Sequence, residues 1–274
     1  MKQRKFFLAC FLMITLSLGL TSFAQDGKPR NGGQGIHGHH SPVEFILRDL
    51  NLTTEQKDKV RAIFTAERST IKTILDNNFT NHQKLHDLIK SGDFDLAQVR
   101  VIAESLANNQ ILLIVEKQRG ESQIYAILNA DQQAKFDQTQ TKFVEHKPML
   151  PNENRLIEML SNKLALTPEQ QTQLSNILTR QKEGVTPLLE KLGQFHQQLA
   201  TLTAKGRFDQ IQITNLAGQY VNVMADLTVA HTTTRFNIYS LLTTEQREDF
   251  LRFPPLGGPG SPFLGRPEGG RPPS

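Results

Sequence analysis

The sequence repeats itself at a fixed offset of 114 residues, and this repeat constrains the fold more than any other feature. Leu166 repeats Leu52, and Gln170 repeats Gln56. No insertion is needed to extend the match along the chain. Further matched pairs are Leu75 with Leu189, His82 with His196, Gly92 with Gly206, Phe94 with Phe208, Tyr125 with Tyr239, and Phe136 with Phe250. A match of this length predicts two tandem copies of one structural module.

A short motif, leucine–threonine–x–x–glutamine, predicts helix starts in both copies. Thr53 suits the N-cap position, and Gln56 lies three residues later, where its side chain can reach back to the cap. Pro168 strengthens the second copy, because proline is favoured at the first helical position. Asparagine replaces threonine in one occurrence, which keeps a capping side chain. The motif residues are Leu52, Thr53 and Gln56; Leu128 and Gln132; Leu166, Thr167 and Gln170; and Leu242, Thr243 and Gln246.

Apolar spacing predicts an all-α fold with two long helices in each module. Apolar side chains recur every three or four residues after Thr53, the spacing of an amphipathic helix that ends near Gly92. A second capping signal at Asp95 begins another long helix, which runs to Tyr125. Short helices are expected on either side, one of them over residues 42–50. A single hairpin of this kind cannot enclose its own apolar stripe, so we expect two modules to pack together.

The sequence leaves open whether the modules pair within one chain or between two chains. Their tandem arrangement favours an intramolecular pseudo-dimer. One difference separates the copies, since Gly184 and Pro187 stand where the first copy has Thr70 and Thr73. Proline within a helix removes a backbone hydrogen bond, so we predict a kink or break in the first long helix of the second module.

The chain ends set the domain boundaries. Three basic residues, an apolar run and small residues before residue 25 predict a cleaved signal peptide over residues 1–24. Cys10 lies inside that apolar run, so the mature chain would hold no cysteine, disulfide or lipidated thiol. A Gly/His-rich linker is expected over 25–41, helical modules over 42–147 and 148–252, and a disordered Pro/Gly-rich tail over 253–274.

Charge argues against a nucleic-acid-binding protein. The whole chain has 31 lysines and arginines against 27 acidic residues, but Lys2, Arg4 and Lys5 fall within the predicted signal. The mature chain is then almost neutral, with 28 basic residues against 27 acidic ones. Nucleic-acid-binding domains normally carry a clear basic excess.

The recurrent motif resembles that of the Spy/CpxP family of periplasmic proteins. Two motifs fall in each helical module, in a chain with a predicted signal peptide, and the resemblance covers residues 42 to 252. It implies a periplasmic, ATP-independent holding chaperone for unfolded or stress-damaged proteins, acting through an amphipathic helical surface. The alternative it implies is an envelope-stress regulator that contacts the periplasmic domain of a sensor kinase, or a zinc-responsive protein of the CpxP type.

A basic stripe with one aromatic residue is the candidate client surface. Four bases recur on one predicted face of the first long helix, together with Phe64, and Lys182 is the base retained in the second module. A solvated helix edge would show the same pattern. The candidate residues are Lys57, Arg61, Phe64, Arg68, Lys72 and Lys182.

Two histidine groups have spacing that could serve a metal such as zinc. His82 and His86 are one helical turn apart, a usable ligand spacing. Because neither group has cysteine or carboxylate partners in sequence, we favour incidental clusters and expect no cofactor. The other group is His37, His39 and His40. The chain also shows no catalytic triad pattern and no H-E-x-x-H motif, so we expect no enzyme activity.

Overall fold

The computed structural model describes residues 47, 49–144 and 152–253, and regular structure in these ranges is helical, as the apolar spacing predicts. The predicted signal peptide, the linker with its three histidines and the Pro/Gly-rich tail beyond Phe253 lie outside the described residues. The helices are α1 (Thr54–Ser91), α2 (Leu96–Ile127), α3 (Ala130–Val144), α4 (Glu153–Leu164), α5 (Pro168–Thr203), α6 (Gln210–Gly218), α7 (Val221–Leu241) and α8 (Thr244–Leu251), with a 3-10 turn at Ala204–Gly206.

Each module is built as a long hairpin with shorter helices beside it. In the first module, α1 and α2 are joined by a tight turn at Gly92, whose φ of 76° is in the left-handed region that suits glycine. In the second module, α5 pairs with α6 and α7. Of the short helix predicted over 42–50, Leu47, Asp49 and Leu50 fall within the described residues; Leu47 and Asp49 are helical, and Leu50 is in a turn.

The two modules pack against each other within the chain. Helix α2 contacts α1 on one side and α7 on the other, and α7 in turn packs on α5. The small side chains of Ala103 and Ala107 meet Ala225 at the crossing of α2 and α7. Phe94 stacks on Phe236 with their ring centroids 4.3 Å apart. The expected intramolecular pseudo-dimer is therefore the arrangement observed.

Equivalent residues of the two modules make matching contacts across this interface. Tyr239, near the end of α7, donates a hydrogen bond of 3.3 Å to the carbonyl of Lys90 beside the turn of the first hairpin. Tyr125, its repeat counterpart, lies against Gly206 in the turn of the second hairpin, where a Cβ would come within 2.6 Å of its ring. Each hairpin turn thus lies at the far end of the other module.

The two modules differ in where a long helix is interrupted. A kink or break was predicted at Pro187. No break is present there, and α5 continues as one helix through that residue. The interruption falls instead in the second long helix, where Gln219 and Tyr220 separate α6 from α7. Gly218, the last residue of α6, stands at the position that Glu104 occupies in the first module. Because glycine is a poor helix former, this difference favours an interruption in the second module.

No helix in the described ranges is long and apolar enough to cross a membrane.

Candidate functional site

The motif glutamines of each module pair with one another through their side chains. In the first module, Gln56 Nε2 donates to Gln132 Oε1 at 2.7 Å, and Gln132 Nε2 donates back to Gln56 Oε1 at 3.0 Å. The two residues are 76 positions apart, on α1 and α3. We call this reciprocal pair, Gln56 with Gln132 and its counterpart in the second module, the glutamine clasp.

The remaining hydrogen-bonding groups of the clasp are used at helix ends. Gln56 Nε2 also donates to the carbonyl of Ile127 at 2.9 Å, and Gln132 Nε2 to that of Leu50 at 3.1 Å. Both carbonyls lie where a preceding helix ends, so they lack a partner within that helix. The glutamine oxygens accept from the N-cap backbone amides of Thr53 and Asn129, each at 3.0 Å. Each amide group therefore has all four of its hydrogen bonds.

The second module repeats the clasp atom for atom. Gln170 and Gln246 exchange side-chain hydrogen bonds of 2.8 and 3.2 Å. Their amide nitrogens also donate to the carbonyls of Leu241 and Leu164, which end α7 and α4. Because the same network forms twice in one chain, the motif encodes a specific joint rather than helix starts alone.

The other motif residues complete the joint. Threonine or asparagine caps each helix: the backbone amide of Gln56, for example, donates to Thr53 Oγ1 at 3.2 Å. The motif leucines are buried, and they pack in two equivalent clusters that also contain the ends of the hairpins. Those clusters include Leu52, Val60, Ile124, Leu128 and Phe136 in the first module, and Leu166, Leu174, Ile238, Leu242 and Phe250 in the second.

Comparison with known proteins agrees with these joints. The model of the LTXXQ motif family matches the chain twice, over residues 38–140 and 152–252. The chain belongs to the LTXXQ motif family. This confirms the resemblance to the Spy/CpxP family and its arrangement as two tandem modules.

Two curated relatives are "Periplasmic protein CpxP" of Escherichia coli strain K12 and its namesake in Escherichia coli O6:H1. Each is 28% identical to this chain over 105 residues, which is 38% of this chain and 61% of the relative. This member of the LTXXQ motif family therefore spans less than two thirds of the length of those relatives in a single match. No solved structure matches the chain significantly.

The predicted basic stripe is on the surface of α1, but its aromatic member is turned toward the core. Lys57, Arg61, Arg68 and Lys72 are exposed, as is Lys182 on α5. Arg61 pairs with Asp58, three residues before it, and Lys72 with Asp76, four residues after it. Phe64 is partly buried against the cluster that contains Leu52 and Val60. The stripe contributes charge to the surface and little apolar area.

Large exposed apolar side chains, which the sequence reasoning did not single out, are concentrated on the first module. Phe79 on α1 is 65% exposed, and Val101 on α2 is 67% exposed. The repeat counterparts of these two residues are Gly193 and Asn215. The full set in the described ranges is Phe79, Leu96, Val101, Leu112 and Ile211, which we call the apolar surface set. Comparing the copies position by position would have revealed this asymmetry.

The predicted metal ligands within the described residues do not form a larger group. His82 is exposed and His86 is half-buried, and His86 Nδ1 lies 3.6 Å from Asp87 Oδ1. No group of three or more histidine, cysteine, aspartate or glutamate residues in these ranges could hold a metal ion. His196, the counterpart of His82, has its pKa lowered to about 4 by burial and by nearby Lys117, which keeps it neutral.

Proposed function

We propose that this protein is a periplasmic holding chaperone that binds unfolded proteins without ATP. The observation that carries the proposal is the apolar surface set, because large apolar side chains that are half or more exposed are available to contact the apolar segments of an unfolded client. Leu96, Val101 and Leu112 all lie on α2, and Phe79 lies on the adjoining α1. The name of the curated relatives, a periplasmic protein, supports the compartment.

The neighbouring charges suit a surface that binds weakly and releases. On the two helices that carry most of the apolar surface set, α1 has exposed bases and α2 has the partly exposed ion pair of Arg100 with Glu104, whose Nε–Oε1 distance is 3.2 Å. Apolar contacts supply affinity for unfolded segments, and surface charge speeds encounter and limits tight adhesion. No nucleotide is required in this scheme, because binding and release follow the client's own folding.

An aggregation assay tests the proposal. The chain without residues 1–24 is mixed with a heat-unfolded client, without nucleotide, and light scattering is followed over time. We expect suppression at a few-fold molar excess, and loss of most of it in the quadruple variant Phe79→Ser, Leu96→Ser, Val101→Ser, Leu112→Ser.

The matched control changes the equivalent positions of the second module. Asp226, the counterpart of Leu112, pairs with Arg100, so the exposed neighbour Asn222 takes its place. Gln210, the counterpart of Leu96, accepts a hydrogen bond of 2.9 Å from Arg119, so the exposed Thr214 one turn later takes its place. The control substitutions are Gly193→Ser, Thr214→Ser, Asn215→Ser and Asn222→Ser. Because none of them removes a large apolar side chain, the control should suppress aggregation as well as the parent chain.

Two outcomes would redirect the proposal. Equal suppression by both quadruple variants would contradict the apolar surface set as the client site. No suppression by the parent chain would contradict the chaperone function and favour the regulatory alternative, in which the protein binds one sensor domain. A parallel arm with added zinc separates a metal-dependent activity, which would disappear when His82 and His86 are changed.

A further inference from the structure

A buried carboxylate in the middle of the first hairpin lacks a complete set of partners. Glu67 on α1 is only 9% exposed, and its Oε1 atom has no hydrogen-bond partner among the described residues. It lies against Gly120 of α2, where an added Cβ would come within 2.8 Å of that oxygen. Glycine is a poor helix former, so its presence in mid-helix is explained here by the room that the carboxylate needs.

The charges around Glu67 are already committed to one another. Arg119 Nη1 lies 2.8 and 2.7 Å from the two carboxylate oxygens of Glu116. Glu116 and Arg119 are the charged groups that act on Glu67, and because they pair with each other, Glu67 is left as an acid without a base of its own. A proton on Glu67 would make this group of three side chains neutral overall and supply a donor.

Among the described residues, charged groups on the other helices do not supply a counter-ion to Glu67. On α7, Asp226 pairs with Arg100, His231 bonds to Gln181, and Arg235 donates to the carbonyl of Phe253. On α1 itself, the nearby bases Arg61, Arg68 and Lys72 are exposed to solvent. Burial is the main cause that raises the pKa of Glu67 to about 7; nearby Glu116 raises it further, and Arg119 opposes both.

The second module has no equivalent acid. Gln181 stands in place of Glu67, and its side-chain amide lies 3.0 Å from His231 Nδ1. Thr234 stands in place of Gly120, and its hydroxyl donates to the carbonyl of Ala230 at 2.8 Å. The same level of the fold is therefore neutral and hydrogen-bonded in one module, and acidic and incompletely paired in the other.

We propose that Glu67 is a proton-operated latch between α1 and α2. With a proton, the side chain is neutral and the two helices pack closely around Gly120. Without it, the carboxylate draws water into the interface and loosens the middle of the first hairpin, while the second module is unaffected. Loosening would expose the apolar residues of a buried cluster on the same two helices. That cluster contains Ile71, Ile74 and Leu113.

The sign of the pH dependence follows from the two states of Glu67. In the unfolded chain its pKa is near the ordinary value of 4.5, and in the folded chain it is about 7. Between these values the folded protein binds more protons, so folding stability falls as the pH rises through this window. Below pH 4.5 and above pH 7 this residue contributes no further change.

Equilibrium unfolding of the full chain at pH 5 and pH 8 tests the latch. From pH 5 to pH 8, the folding equilibrium constant of the parent should fall relative to that of Glu67→Gln by a factor on the order of 10 to 100. Glu183→Gln, which changes an exposed carboxylate on α5, is the matched control and should follow the parent. Parallel pH profiles for the parent and Glu67→Gln would overturn the proposal.

A second measurement does not depend on the variant folding. The carboxyl carbon of Glu67 is followed by NMR in the parent chain; a titration midpoint near 7 is expected, and a midpoint near 4.5 would overturn the latch. Amide protection factors over residues 113–124 should fall above the midpoint, whereas those over 227–238, the equivalent part of α7, should not. Neither readout uses a client, so failure here is separate from failure of the chaperone proposal.

Discussion

The two modules share the same joint, which is the glutamine clasp with its leucine cluster. They differ in the side chains along their long helices. Both form the glutamine clasp with the same atoms, and both bury the motif leucines in equivalent clusters. Along the hairpins, however, equivalent positions diverge: the second module buries Phe195 where the first has Asn81, and the first buries Glu67 where the second has Gln181. The motif therefore fixes how each module closes, while the side chains along the long helices differ between the modules.

The largest expected effect concerns the divergent pair Phe195 and Asn81. Phe195 is fully buried in a cluster that includes Ile111 and Ile114 of the first module, so Phe195→Ala should cost about 3–5 kcal/mol of unfolding free energy. Asn81 makes an exposed hydrogen bond of 3.0 Å to Ser105, so Asn81→Ala should cost less than about 1 kcal/mol. Urea unfolding measures both, and similar costs would contradict the packing described between the modules.

The next largest effect on stability is expected from substitutions at Pro187 and at its counterpart, Thr73. Thr73 is exposed within α1, and Thr73→Pro removes the backbone amide that completes the helix there, at a cost of about 3 kcal/mol. Pro187→Ala restores an amide to α5 and should gain on the order of 1–3 kcal/mol. Thermal unfolding of the two variants checks this. A loss of stability on removing Pro187 would show that α5 is adapted to the missing bond.

Breaking the glutamine clasp should cost the same in either module. Gln132→Ala or Gln246→Ala leaves the partner glutamine and a helix-end carbonyl unsatisfied, at about 2–3 kcal/mol each. The double variant Gln56→Ala with Gln132→Ala should cost clearly less than the sum of its single changes, because the pair acts as one unit. Denaturant unfolding measures the unfolding free energies of the parent, the single variants and the double variant. Additive costs would mean that the glutamines act only as separate helix caps.

The smallest effect on stability is expected at the apolar surface set. Phe79→Ser changes an exposed side chain, so the unfolding free energy should move by less than about 0.5 kcal/mol. Client binding should nevertheless weaken, which light scattering of an aggregating client records. A stability loss above about 1 kcal/mol would instead assign Phe79 to packing.

The joints were partly predictable from the sequence. The caps at Thr53 and Thr167 follow from local spacing, because a capping box involves residues only three positions apart. The clasp joins residues 76 positions apart, and spacing within one helix contains no information about that contact. The constant interval between the two motifs in both copies was the available signal.

Interior chemistry was harder to predict than architecture. Glu67 lies on a helix with many exposed charges, and its burial depends on the small size of Gly120 on another helix. Phe64 was assigned to a surface because it shares a helical face with basic residues, but long basic side chains reach solvent from positions where an aromatic ring contacts the core. The second module is interrupted at Gln219 and not at Pro187, so the helix-breaking tendency of proline alone did not predict where the interruption falls.

The clasp also has a mechanical consequence. It ties the start of the first long helix to the start of the last helix of the same module, so the two segments that flank the long hairpin are held together. Tension applied through the segment between α3 and α4 would therefore load the clasp before it could peel a long helix from the core. Since four side-chain amides form the two clasps and the described residues contain no cysteine, these ties hold equally in oxidising and reducing surroundings.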